Sequence, residues 1–162
     1  MSGVARFMHV SADRFAGDWR EAFPGAEVPQ PPPLPRRATA GSAGYDFFAP
    51  AAFRLEPGET VKIPTGVRAR IAAGWVLTLY PRSGLGFKYR LMLNNTVGIV
   101  DADYFGARNE GHIFIKLTNA GDRPLSVAAG EAFAQGVFLP FGLTEDDDAA
   151  GERVGGFGST NK

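Results

Sequence analysis

Short apolar runs separated by Gly and Pro dominate the chain and predict many short β-strands. Two of these runs, Thr60–Ile63 and Val76–Tyr80, show partial alternation of apolar and polar positions, which indicates strands with one buried face. The candidate strands are Tyr45–Phe48, Glu59–Ile63, Gly66–Ile71, Val76–Tyr80, Ile113–Leu117 and Glu131–Leu139. Regular spacing of short strands predicts a sandwich, a jelly roll or a small barrel.

A different pattern precedes these strands. Val4–Val10 predicts a first strand, Ser11 is a candidate N-cap, and Ala12–Phe23 can form a helix. Apolar aromatic positions recur every four residues in that helix and would share one face, which we expect to pack on the domain: Phe15, Trp19 and Phe23. The proline-rich Pro24–Pro35 that follows predicts an extended, semi-rigid connector, because proline fixes φ and removes a donor.

Composition narrows the classes of function. A chain of 162 residues fits one domain, and 17 basic against 17 acidic residues argue against non-specific binding to nucleic acid or an anionic membrane. The absence of cysteine excludes a disulfide framework and a Cys-based zinc site. His9 and His112 lack metal-ligand spacing, so any metal should be a hard ion on oxygen ligands, such as Mg²⁺. No long apolar run or signal peptide is recognisable, so we expect a soluble, cytoplasmic protein.

Two segments carry polar side chains of ambiguous purpose. Asp46 lies between aromatic residues in SAGYDFF, as a carboxylate held for a metal or as a strand end that faces solvent. Arg82 and Ser83 lie in PRSGLGF, where we predict a glycine-containing turn. A guanidinium, a hydroxyl and backbone N–H groups suit phosphate oxygens, although a plain turn remains an equal alternative.

Two further segments could act on a nucleotide. If the chain is extended there, Asp101 and Asp103 point to one side and Tyr104 to the other. Such a pair can bind a divalent ion, and a lone Asp near phosphate can act as a general base. The tail GGFGST is similar to a phosphate loop in composition, but it lacks the GKS or GKT ending. Phe157 in this tail suits a lid over a flat base or, alternatively, an anchor in the core.

The order of these segments resembles the five motifs of the trimeric dUTPase (deoxyuridine 5'-triphosphate nucleotidohydrolase) family, in a bacterial and phage-like branch. The matching segments are RATAGSAGYDFFA (Arg37–Ala49), PRSGLGF (Pro81–Phe87), NTVGIVDADY (Asn95–Tyr104), GEAFAQGVF (Gly130–Phe138) and RVGGFGST (Arg153–Thr160). The resemblance implies an all-β, distorted jelly-roll or β-barrel fold with a short N-terminal helix and a flexible C-terminal arm. It divides the chain into an N-terminal strand, helix and linker (1–35), a β-domain (36–150) and a glycine-rich arm (151–162).

The resemblance implies hydrolysis of dUTP to dUMP and pyrophosphate, by Mg²⁺-assisted in-line attack of water on the α-phosphate. The reaction would lower dUTP and supply dUMP for dTMP synthesis. It also implies a homotrimer whose active sites are shared between subunits, with no membrane or direct nucleic-acid partner.

Roles follow residue by residue from the same resemblance. Asp101 would be the catalytic base, Tyr104 would pack under the deoxyribose, and Asp46 and Gln135 would hold Mg²⁺ through water. A tight hairpin over 95–100 would grip uracil, and Phe157 would stack on it. The substrate-binding residues implied are Arg82, Ser83 and Gly84 for the phosphates, Asn95, Gly98, Ile99, Val100, Tyr104 and Phe114 for the nucleoside, Gln135, and in the arm Arg153, Phe157, Gly158, Ser159 and Thr160.

Three features depart from the commonest family pattern. The chain carries the insertion ARNEGH (107–112), one residue fewer between Arg153 and Gly155, and an added N-terminal segment. His112 is expected to be a surface or structural residue rather than a catalyst. The rival interpretations are a dCTP deaminase, a dUTPase-fold protein that binds a regulatory protein partner under nucleotide control, and a generic β-sandwich binding module.

Overall fold

The structure is a computed structural model that describes residues 3–153 and 155, and strands predominate in it. The strands are β1 (Ala5–His9), β2 (Tyr45–Phe48), β3 (Phe53–Leu55), β4 (Thr60–Pro64), β5 (Val67–Ile71), β6 (Trp75–Pro81), β7 (Leu91–Leu93), β8 (Gly98–Val100), β9 (Phe114–Asn119), β10 (Leu125–Val127) and β11 (Ala132–Pro140). The helices are α1 (Ala12–Ala22), α2 (Ser83–Tyr89) and a 3₁₀ helix (Ala102–Gly106). The all-β prediction is therefore confirmed.

The strands pair in small antiparallel sheets. Over the described residues, the sheet orders are β2-β11-β6-β8, β4-β9-β7, β1-β5 and β10-β3. The sheets enclose one principal apolar core, in which Leu77, Leu117 and Phe133 have no exposed surface. Burying side chains of this size stabilises the fold by roughly 1.5–3 kcal/mol each. This core fixes the strand ends and turns that carry the polar residues.

Helix α1 follows its sequence signals. The side chain of Ser11 accepts a hydrogen bond from the backbone N–H of Arg14, as a capping serine should. Phe15 and Trp19 are buried, and Phe23 packs on their cluster, so the predicted apolar face is confirmed. The helix ends at Ala22, one residue before the predicted end. It therefore covers one side of the β-domain.

The sequence patterns missed several short elements. Strands β3, β7, β8 and β10 have three residues each, too few to show a period. The predicted turn in PRSGLGF is wrong, because Ser83 begins helix α2 and Arg82 is its N-cap residue. Within the described part of the chain, no helix is long and apolar enough to cross a membrane.

Candidate functional site

A cavity of 410 Å³ lies beside the turn that joins β7 to β8. Its walls come from five strands, that turn, the 3₁₀ helix and the insertion. The lining residues are Lys62, Leu79, Leu93, Asn94, Asn95, Gly98, Tyr104, Asn109, Phe114 and Lys116. Four of the residues predicted to bind the nucleoside are therefore brought together here: Asn95, Gly98, Tyr104 and Phe114.

The turn beside the cavity is tight, and Leu93 and Thr96 form an antiparallel bridge across it. Thr96 donates its N–H to the carbonyl of Leu93 at 3.0 Å and has a φ of 67°. The flanking strands then diverge, since β7 pairs with β9 and β8 pairs with β6. Along β8 the side chains alternate, so Ile99 is 48% exposed whereas Val100 is buried in the core. Neither of these two side chains lines the cavity.

Tyr104 forms a rigid part of the cavity wall. It is 2% exposed, and burial raises the pKa of its phenol. The hydroxyl is therefore protonated at neutral pH, and it donates to the carbonyl of His112 at 2.5 Å. It also accepts a hydrogen bond from Nδ2 of Asn109 at 2.7 Å. The hydroxyl end of the ring is thus held in place by two hydrogen bonds.

Asp101 and Asp103 converge on one guanidinium. Nη1 of Arg153 lies 2.8 Å from Oδ2 of Asp101 and 2.9 Å from Oδ1 of Asp103, while its Cζ lies 5.3 Å from the centre of the Tyr104 ring. Burial opposes the positive charge, but the hydrogen bonds to the two carboxylates raise the pKa of Arg153 above its ordinary value. The extended backbone assumed for this segment is wrong after Asp101, where the 3₁₀ helix begins. The two carboxylates still share one partner.

Asp46, Gln135 and Arg82 meet where β2, β11 and β6 lie side by side. Asp46 faces Gln135 across the β2–β11 ladder, and Gln135 faces Tyr80 across the β11–β6 ladder. Oδ1 of Asp46 accepts from Nη1 of Arg82 at 2.5 Å, with Asp46 only 9% exposed. Gln135 donates its Nε2 to the carbonyl of Pro81 at 3.1 Å. The predicted metal residues and a predicted phosphate residue are therefore adjacent.

The residues around Tyr104 and the residues around Arg82 lie in separate places in the described part of the chain. Arg82 and Ser83 line a second cavity with Pro81, Gly86 and Phe87, and Gly84 lines a third one with Arg82. Among the described residues, neither of these shares a lining residue with the cavity at Tyr104. The described part of the chain thus holds two separate groups of predicted site residues, one around Tyr104 and one around Arg82.

The structure adds residues that sequence patterns missed. Lys62 and Lys116 are cross-strand partners in β4 and β9, and both line the cavity at Tyr104. Nζ of Lys62 lies 5.3 Å from the centre of the Phe114 ring. Asn109, inside the insertion, reaches the same cavity. Lys62 and Lys116 each lie in a predicted strand, so the sequence offered a signal for them. No sequence pattern points to Asn109.

His112 was predicted to be a surface or structural residue and not a catalyst. His112 is fully buried, so it is structural and not on the surface. Burial lowers its pKa, and the Asp18 carboxylate opposes this shift. The predicted arm residues Phe157, Gly158, Ser159 and Thr160 lie outside the described residues.

Two bacterial proteins are similar to this chain. The chain is 44% identical over 130 residues to the deoxyuridine 5'-triphosphate nucleotidohydrolase of Lactococcus lactis subsp. lactis, which covers 78% of this chain and 87% of that protein. It is similar to the crystal structure of dUTPase from Streptococcus mutans, with 35% identity, a TM-score of 0.65, and coverage of 86% and 98% of the two chains.

A phage protein shares the fold at lower identity. The dUTPase of phage phi11 of S. aureus, in a structure that reveals the coordination of a structural Mg(II) ion, is 22% identical with a TM-score of 0.65. Coverage is 91% of this chain and 97% of that chain. A family model described as dUTPase matches residues 30–161, so the five ordered motifs and the fold lead to one conclusion: the chain belongs to the dUTPase family.

Proposed function

We propose that the chain hydrolyses dUTP to dUMP and pyrophosphate by in-line attack of water on the α-phosphate. The observation that supports this most strongly is the cluster of Asp101, Arg153 and Tyr104, with Tyr104 forming a wall of a nucleoside-sized cavity. A partly exposed carboxylate beside that cavity can reach a water molecule, and a cation beside it can pair with phosphate. The product dUMP would serve dTMP synthesis as dUTP is lowered.

Uracil would be held by the turn between β7 and β8. Asn95 and Gly98 line the cavity. Fixed backbone donors and acceptors of these residues would match uracil but not cytosine. A methyl group on C5 would exclude thymine on steric grounds. Phe114 and Tyr104 supply apolar walls, with Tyr104 beneath the sugar where a 2′-hydroxyl would collide. The site would thus select both the base and the sugar.

Asp101 would orient the attacking water and take its proton. A general base of this kind typically contributes about 10²–10⁴-fold to the rate. In the structure its carboxylate is held by Arg153, whose buried Nε has no partner among the described residues. A γ-phosphate offers three oxygens to that guanidinium. Movement of Arg153 from Asp101 to the phosphate would free the base as substrate binds.

The phosphates would be held by the start of α2. The guanidinium of Arg82 is 41% exposed, and the first N–H groups of a helix have no partner within the helix. Arg82, Ser83 and Gly84 would therefore supply one charge, one hydroxyl and backbone donors to the phosphate chain. The remaining arm residues, Ser159 and Thr160, would add contacts to the γ-phosphate, and Phe157 and Gly158 would cover the uracil.

The residues around Asp46 fit Mg²⁺ held through water. Since Nε2 of Gln135 is used by Pro81, its Oε1 points the other way, to within 2.5 Å of where a Cβ on Gly44 would be. Glycine at position 44 thus keeps space beside that oxygen. Asp46 and Gln135 offer hard oxygen atoms on adjacent strands, as Mg²⁺ requires. When bound, the ion would neutralise charge on the phosphate oxygens.

A homotrimer with shared sites would bring together the two groups of residues, one around Tyr104 and one around Arg82. The nucleoside cavity and the phosphate residues are separate in one chain, so a second subunit is needed to bring them to one substrate. Exposed apolar residues lie at the end of β11 and after it, where a neighbouring subunit could cover them: Leu139, Phe141 and Leu143. Burial of such side chains is the usual driving force of association.

The test is release of pyrophosphate with Mg²⁺ from dUTP, dCTP, dTTP and UTP, using the full chain and Asp101→Asn. We expect strong preference for dUTP, and a loss of about 10²–10⁴-fold in turnover for the variant with nucleotide binding kept. Equal turnover of all four nucleotides would contradict the proposed function. Near-normal turnover in Asp101→Asn would contradict only the role of Asp101 as the base, and not the proposed function.

A further inference from the structure

The insertion 107–112 folds back against Tyr104 instead of extending into solvent. Ala107, at its start, is buried and donates its N–H to the carbonyl of Tyr104 at 3.0 Å. Gly111 has a φ of 70°, and a Cβ there would lie 2.7 Å from the carbonyl oxygen of Tyr104. Only glycine fits so close to that backbone. The insertion is therefore built to lie against the 3₁₀ helix that carries Tyr104.

Asn109 is the residue of the insertion that reaches the Tyr104 hydroxyl. Its Oδ1 accepts the N–H of Gly111 at 3.2 Å, which fixes the orientation of the amide. Nδ2 consequently faces Tyr104 and donates to its hydroxyl at 2.7 Å. Because that hydroxyl donates to the carbonyl of His112, the insertion holds it on both sides. The tyrosine ring has little freedom to tilt away from the cavity.

The other side of the insertion is anchored to α1 and its cap. Nδ1 of His112 donates to Oδ2 of Asp18 at 2.6 Å, because its Nε2 accepts the N–H of Gly66 at 2.8 Å. The hydroxyl and the N–H of Ser11 both bind the carboxylate of Glu110, at 2.6 and 2.8 Å. Helix α1 itself is fixed by buried Phe15 and Trp19. The added helix and the insertion thus form one continuous support.

We infer that Asn109 is a positioning residue that fixes the Tyr104 ring and thereby sets the discrimination between dUTP and UTP. The inference rests on the proposed function, in which that ring excludes a 2′-hydroxyl. Without Asn109 the hydroxyl keeps only its bond to the carbonyl of His112, so the ring can tilt and admit the ribose. Loss of Asn109 should therefore favour UTP selectively, whereas general loosening of the fold would lower the turnover of both nucleotides.

The experiment compares kcat/KM for dUTP and for UTP in the full chain, Asn109→Ala, Tyr104→Phe and the double variant. We expect each single variant to lower the dUTP-to-UTP ratio by about tenfold, a factor within reach of one lost buried hydrogen bond. The double variant should lower it no further than Tyr104→Phe alone, because the loss of the hydroxyl already removes the bond from Asn109. Arg108→Ala is the matched control, since Arg108 meets α1 through its backbone carbonyl, and its ratio should stay unchanged.

Several outcomes would overturn the inference. A folded Asn109→Ala protein whose ratio stays within about twofold of the parent would do so, as would additive effects in the double variant. If thermal melting shows that Asn109→Ala is unfolded, the test rests on Tyr104→Phe. An unchanged dUTP-to-UTP ratio in Tyr104→Phe would then overturn the inference. A parent chain inactive on dUTP would instead refute the proposed function, which the same assay reports separately.

Discussion

Replacement of Asp18 should show how much the support beneath Tyr104 stabilises the fold. In Asp18→Ala the Nδ1–H of His112 loses its hydrogen-bond acceptor. Bulk water cannot replace that acceptor, because His112 has no exposed surface. A buried donor without a partner costs about 1–3 kcal/mol. One kcal/mol lowers Tm by roughly 2–4 °C in a domain of this size, so we expect a fall of about 2–12 °C.

The matched variant Asp18→Asn separates the hydrogen bond from the charge. Its amide oxygen can still accept from His112, so the fall in Tm at neutral pH should be smaller than in Asp18→Ala. Glu21→Ala removes an exposed carboxylate from the same helix and should change Tm by no more than a degree or two. The measurement is thermal unfolding of the three variants and the parent, followed by calorimetry or fluorescence.

Acidification should lower the stability of the fold through His112, and the direction of this effect follows from the pKa of that residue. Burial lowers the pKa of His112 below its ordinary value of 6.5, the hydrogen bond and charge of Asp18 oppose this, and Arg14 and Glu110 act weakly in opposite directions. The native state then holds the proton less tightly than the unfolded chain. This part of the stability is therefore complete above about pH 6.5 and is lost as pH falls below it.

Asp18→Asn should lose more stability on acidification than the parent, because the carboxylate that raises the His112 pKa is gone. The quantity to compare is Tm at about pH 8 minus Tm at about pH 5.5. A smaller difference in Asp18→Asn than in the parent would refute the neutral, desolvated state of His112. Equal Tm values for Asp18→Ala and the parent would refute the stabilising role of the whole network.

Two further predictions concern assembly and the arm. Light scattering of the full chain should give three times the chain mass of 17.3 kDa, and Phe141→Ser with Leu143→Ser should lower it; a monomer for the parent would contradict shared sites. Removal of residues 155–162 should leave Tm nearly unchanged and abolish most pyrophosphate release from dUTP, because the predicted lid and γ-phosphate contacts lie there. Full activity of the truncated chain would contradict the lid.

The sequence predicted those parts of the fold that depend on local patterns. The face of Phe15, Trp19 and Phe23 has a helical period that a local rule detects, and the strand at Tyr45–Phe48 is a short aromatic-rich run between Gly44 and Pro50. Helix α2 was missed because Gly84 and Gly86 in a seven-residue segment favour a turn on propensity. Tertiary contacts decided its structure instead.

The candidate site was predictable as a set of residue types and not as an arrangement. Asp101 and Tyr104 stand out in a recognisable motif, but their shared partner Arg153 lies about 50 residues away. The buried contact of His112 depends on Asp18 in α1, 94 residues away. No local period records such a contact, which only the folded chain brings about.

The bond between Asp18 and His112 also limits how these segments can be exchanged between related proteins. The family match begins at residue 30, so α1 lies outside the matched residues, whereas His112 lies inside them. A buried histidine without its acceptor, or a buried carboxylate without its histidine, would each destabilise the chain. We therefore expect a graft of α1 alone or of 107–112 alone into another member of the family to be less stable than a graft of both segments.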